Sequence, residues 1–127
     1  MSEHDEQVAL FDWAEMVHLP GIELMYAIPN GGHRHPAVAA KLKKEGVKAS
    51  IPDIHLPIAR GGYHGLYIEL KKPKDATPAG RATEGQIEML SALSEEGHLA
   101  LLCVGWGAAK KTIVDYMAAG KTVVVVP

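Results

Sequence analysis

The run Leu66-Tyr67-Ile68-Glu69-Leu70-Lys71 limits the fold more than any other part of the chain. Its β-branched, aromatic and apolar residues suit a pleated surface, so it reads as a strand. Period-two alternation then sets Ile68 and Leu70 on one face and Glu69 with Lys71 on the other. A Glu and a Lys two apart on an exposed strand face are commonly a solvated pair. Their neighbours argue for more.

Asp53, which follows Pro52, is separated from Glu69 by fifteen residues. Ile51-Pro52-Asp53-Ile54 and Leu66 to Leu70 read as two strands joined by a loop holding Arg60-Gly61-Gly62. In such a hairpin Asp53 and Glu69 face each other, and two like charges that close are destabilising unless a cation lies between them. Two carboxylates and a lysine converging on one point are what metal-assisted phosphodiester hydrolysis requires. All-oxygen ligands favour Mg²⁺ or Mn²⁺.

These residues resemble a known family. Ser50-Ile51-Pro52-Asp53, then Gly65-Leu66-Tyr67-Ile68-Glu69-Leu70-Lys71, with Gln86 beyond, is similar to the VRR-NUC (virus-type replication-repair nuclease) branch of the PD-(D/E)xK superfamily. So are the earlier Ala27-Ile28-Pro29-Asn30-Gly31-Gly32 and Leu42-Lys43-Lys44-Glu45-Gly46-Val47. The resemblance runs from about Glu6 to Tyr116. It implies a restriction-endonuclease-like α/β core, with a mixed sheet flanked by helices. It also implies a Mg²⁺- or Mn²⁺-dependent deoxyribonuclease selective for branched DNA, such as four-way junctions or flaps, in replication, repair or recombination, and some members act as homodimers. Carried onto this chain, it makes Asp53, Glu69, the Leu70 backbone carbonyl and Glu6 metal ligands, Lys71 the catalytic lysine, and Gln86 a neighbour of the site.

The remaining pattern agrees with an α/β order. A first helix spans about His4 to His18, a strand Leu24 to Ile28, and a second helix Ala37 to Glu45, with Pro36 in its first turn and Gly46 as its stop. A third helix runs from Thr83 to about Glu96, a buried strand from Leu99 to Val104, a fourth helix from Ala108 to Ala119, and a last short strand from Thr122 to Val126. Helices interleaved with strands imply a mixed sheet covered on both faces. At 127 residues and 47% hydrophobic, the chain is expected to form one domain over residues 1–127 with a real core. No run has the apolar length of a membrane span, and an acidic N-terminus is unlike a signal, so a cytoplasmic protein is expected. The lone Cys103 reads as a buried strand residue.

Charge is unevenly spread. From Arg34 to Arg81 there are ten Lys or Arg against four acids, a balance of +6, and with a net charge of −2 the rest carries −8. Such a basic segment suits phosphates, although a basic run is often only a solvated helix face. Lys41, Lys43, Lys44 and Lys48 are candidate DNA contacts, as are Lys72 and Lys74 beyond the strand. Asn30-Gly31-Gly32-His33-Arg34-His35 offers Asn30, Arg34 and backbone amides to phosphate oxygens, or forms a plain turn between strand and helix. His33 and His35 lack the cysteine partners or helical HxxxH spacing of a zinc site.

Two positions keep two readings each. Glu6 is the first-helix acid that the resemblance selects, but Glu3, Asp5, Asp12 and Glu15 lie nearby, and acids in a first turn follow from the helix dipole alone. Glu3 is the main alternative. Gln86 ends Thr83-Glu84-Gly85-Gln86, a capping-box pattern, as well as matching the family's glutamine. The apolar Thr122-Val123-Val124-Val125-Val126 end suggests a homodimer contact. A catalytically inactive DNA-binding protein with the same fold is the alternative function, and an intact Asp53, Glu69 and Lys71 set argues against it. A small-molecule α/β enzyme would need a glycine-rich phosphate loop, which is absent from the sequence.

Overall fold

In the computed structural model, residues 1–29, 35–73 and 82–126 are described. The elements are α1 (Glu3–Met16), a short 3-10 helix (Ile22–Leu24), β1 (Tyr26–Ala27), α2 (Pro36–Lys44), β2 (Ile54–Leu56), β3 (Leu66–Lys71), α3 (Glu84–Glu95), β4 (Leu99–Val104) and α4 (Trp106–Ala118). The strands form one sheet in the order β1-β2-β3-β4. β1–β2 and β2–β3 are antiparallel, and β3–β4 is parallel with α3 as the crossover. The sheet is therefore mixed.

β3 alternates as its sequence requires. Leu66, Ile68 and Leu70 join Leu10, Ile54, Leu56 and Ile113 in the core, all of them buried. Each such side chain contributes roughly 1.5–3 kcal/mol over leaving it exposed. α1 and α4 pack on each other and on β3, closing this face. α3 lies along β4, and its Gln86 reaches the opposite face of β3.

The helix starts follow local chemistry. Ser2 and Asp5 form a capping box on α1, and Thr83 and Gln86 form one on α3. His35 caps α2 ahead of Pro36 by accepting the Ala37 N–H. α4 begins after Gly105 without a side-chain cap from its own segment.

Three expected strands are corrected. The sequence predicts a strand over Ile51 to Ile54, but pairing begins only at Ile54 and runs to Leu56, because Pro52 has no N–H for a ladder. The strand expected over Leu24 to Ile28 contracts to Tyr26–Ala27 behind the 3-10 turn, although the Ile28 N–H still donates to Asp53 O at 2.8 Å. Thr122 to Val126 forms no strand. Lys121 makes an isolated bridge with Arg60, and Val123 to Val126 stand 77–84% exposed. A β-branched run without a neighbouring strand has no ladder to join.

Candidate active site

β3 carries two ionisable groups on the face away from the core, and the structure buries both. Glu69 is 2% exposed and Lys71 7% exposed. Lys71 Nζ lies 3.8 Å from Glu69 Oε1. Asp53 arrives one residue ahead of β2, where the ladder has ended at Ile54–Ile68, and its Oδ2 accepts the Leu70 N–H at 2.7 Å. That contact holds the Asp53 carboxylate against Glu69.

α3 closes the site from the β4 side. Gln86 Nε2 donates to Glu69 Oε1 at 3.1 Å while its Oε1 accepts the Thr83 N–H, so one side chain both caps the helix and grips the site. Gln86 thus makes the capping-box contact and also reaches Glu69. A Cβ at Gly85 would stand 2.7 Å from Ser50 Oγ, so the first turn of α3 lies directly on the segment leading to Asp53. Ser50 itself holds a left-handed φ of 66°, a conformation that costs an L-residue about 1–2 kcal/mol.

Glu69 is the electrostatic centre. Its Oε2 is buried and has no hydrogen-bond donor among the described residues. Burial, then the charge of Asp53, then a hydrogen bond with Asp53 that requires a proton raise its pKa to about 8, against the opposing pull of Lys71. Two carboxylates placed this way are held together by a shared proton or by a cation. An orphaned buried carboxylate oxygen beside a second carboxylate is a donor set suited to a hard divalent ion. Among the described residues, no three His, Cys, Asp or Glu side chains close around one point. A cation here would lean on Asp53 and Glu69 together with backbone or water oxygens.

The two acids of α1 divide. Glu3 Oε1 lies 3.8 Å from Lys71 Nζ and adds to the charge around Glu69. Glu6 is 5% exposed and its Oε2 accepts the Trp106 N–H at 2.7 Å, supplying α4 with the cap that its own segment lacks. Gly105-Trp106-Gly107 offers no Ser, Thr, Asp or Asn side chain to cap α4, and nothing local in the sequence points to Glu6 as the acceptor.

Further along the same face runs a strip of rings. Tyr26 OH and His55 Nδ1 are 2.8 Å apart, His55 stacks on Tyr67 at 4.2 Å, and Tyr67 meets His98 edge-on at 5.2 Å. Burial, then the charge of His98, lowers the His55 pKa. Lys41, Lys43, Lys44 and Lys48 are exposed on and just after α2, which buries none of its own residues. Lys72 is half-buried past β3. Asn30, Arg34 and Lys74 lie outside the described residues.

No family model and no curated protein matches the chain. Among solved structures, one described as a "VRR_NUC domain protein" is 30% identical, covers 99% of this chain and 98% of its own, and superposes with a TM-score of 0.80.

Proposed function

The chain belongs to the VRR_NUC domain family and has its restriction-endonuclease-like fold, and from that premise we propose that it is a Mg²⁺- or Mn²⁺-dependent deoxyribonuclease acting on branched DNA. The observation that carries this reading is Glu69 Oε2, buried, without a donor among the described residues and set beside Asp53. A cation between the two carboxylates would satisfy that oxygen, a need that DNA binding alone does not create.

Asp53, Glu69 and the Leu70 carbonyl would hold the ion, with Glu6 contributing through water and Glu3 facing the pair from α1. When bound, the ion supplies Lewis-acid charge to the phosphate oxygens. Lys71, buried against Glu69, orients the attacking water and offsets charge that develops on the phosphate. Gln86 fixes the Glu69 carboxylate so that its other oxygen faces the reacting centre. The exposed lysines of α2, with Lys48 and Lys72, take the DNA backbone, and Asn30, Arg34 and Lys74 extend that surface. The exposed Val123 to Val126 provide the contact of a homodimer, which would set the spacing of the two sites on a junction. No helix among the described residues is long and apolar enough to cross a membrane; an enzyme acting on branched DNA in replication, repair or recombination would work in the compartment that holds that DNA, which for this chain we take to be the cytoplasm.

Cleavage of a four-way junction, a flap, a duplex and single-stranded DNA, each with and without Mg²⁺ or Mn²⁺, tests the reading. Metal-dependent cleavage of the branched substrates above the duplex supports it. Tight DNA binding with no cleavage under any metal would favour the inactive binding protein instead.

A further inference from the structure

Gly65 precedes β3 and shares the face of Tyr67 and Glu69 by strand alternation. Its φ lies outside the left-handed region, so the backbone does not require glycine there. The space does. A Cβ at Gly65 would stand 3.3 Å from His55 Nε2 and 3.5 Å from His98 Nδ1. Two ring nitrogens from different elements thus flank one small gap. His98 Nδ1 is buried and has no hydrogen-bond partner among the described residues, a costly state for a ring nitrogen.

We propose that His55 Nε2 and His98 Nδ1 form a binding site for one divalent transition ion of the Zn²⁺ class in the gap over Gly65. Imidazole nitrogen suits Zn²⁺, whereas the carboxylate pair at Asp53 and Glu69 suits Mg²⁺, so the two sites differ in the ion they select. Tyr26 supports the assignment. Its hydroxyl sits 2.8 Å from His55 Nδ1 and can accept that N–H, which leaves Nε2 with its lone pair toward the gap. A ligating histidine is normally oriented in this way by an acceptor on its other nitrogen. The stacked Tyr67 ring holds the plane of His55 in place. The ion would complete its coordination with water and tie β2 to the start of β4 beside the nuclease site, on which this inference does not depend.

The test is a Zn²⁺ titration of the untagged protein in excess Mg²⁺, read by calorimetry and by the shift in Tm, with E69Q used to keep Zn²⁺ from the carboxylate pair. One bound Zn²⁺ and a rise in Tm are expected. H98A and G65A should each weaken binding by tenfold or more, the second by filling the gap while keeping both histidines, and Y26F should weaken it by about tenfold. Circular dichroism checks that each variant is folded, and G65A keeps the test decisive should H98A unfold. Absence of Zn²⁺ binding, or binding unchanged in G65A and H98A, overturns the proposal.

Discussion

Glu6 Oε2 accepts the Trp106 N–H at 2.7 Å across 100 positions of sequence, joining the first turn of α1 to the first residue of α4. A carboxylate at a helix N-terminus meets both an orphan donor and the positive end of the dipole. E6A should therefore lower unfolding free energy by about 1–3 kcal/mol, with E6Q losing less because its amide oxygen still accepts. Urea denaturation measures both. An E6A variant as stable as wild type would mean that this contact contributes nothing net.

Glu69 makes apo stability depend on pH in a stated direction. A glutamate carboxyl ordinarily titrates near 4.5, and in the folded protein that of Glu69 is raised to about 8. Between those values the folded protein holds a proton that the unfolded chain has lost, so stability falls as pH rises through the window. Without metal, the stability of wild type relative to E69Q should decline from about pH 4.5 to about pH 8. Mg²⁺ should stabilise wild type more at pH 8 than at pH 6, because below pH 8 binding must displace that proton. Thermal melts with chelator and with Mg²⁺ give both curves, and parallel curves for the two proteins would contradict the proton shared with Asp53.

Lys71 and Lys72 are adjacent, but only Lys71 faces Glu69. K71A should cut the cleavage rate on the order of 10²-fold with DNA affinity largely kept, the size of losing one preorganised charge at the transition state. K72A should do much less. Single-turnover rates decide between them, and equal losses would contradict the strand face assigned here.

The lysines on and just after α2 predict a salt signature. Replacing any one of Lys41, Lys43, Lys44 or Lys48 should weaken binding to all DNA sequences alike and reduce the salt slope by about one unit. Lys110 and Lys111, on α4, should matter less. Fluorescence anisotropy across a salt series reads the slopes, and equal effects from both groups would move the DNA to another face.

Much of this site was legible because period-two alternation around Ile68 and Leu70 leaves Glu69 and Lys71 no face but the other one. Gln86 was legible twice, as a capping-box end and as a family match. What escaped was non-local. Asp53 lies ahead of its strand because Pro52 cannot enter a ladder, yet its carboxylate still reaches Leu70 N. α4 starts at Trp106, two residues ahead of the Ala108 that the sequence suggests, since its cap comes from Glu6 and no local residue announces it. Thr122 to Val126 has strand propensity but no partner strand among the described residues, and propensity alone does not make a sheet. The closeness of Gly85 to Ser50 and of Gly65 to two histidines depends on tertiary packing that spacing does not encode.

Single-turnover cleavage of a four-way junction in Mg²⁺ by wild type and E69Q tests the central claim most directly, with circular dichroism confirming that both are folded. Glu69→Gln keeps the shape and the Gln86 contact while removing the charge that a cation would need. The account predicts metal-dependent cleavage by wild type and a loss on the order of 10²-fold or more in E69Q, whereas cleavage by E69Q near the wild-type rate would contradict it.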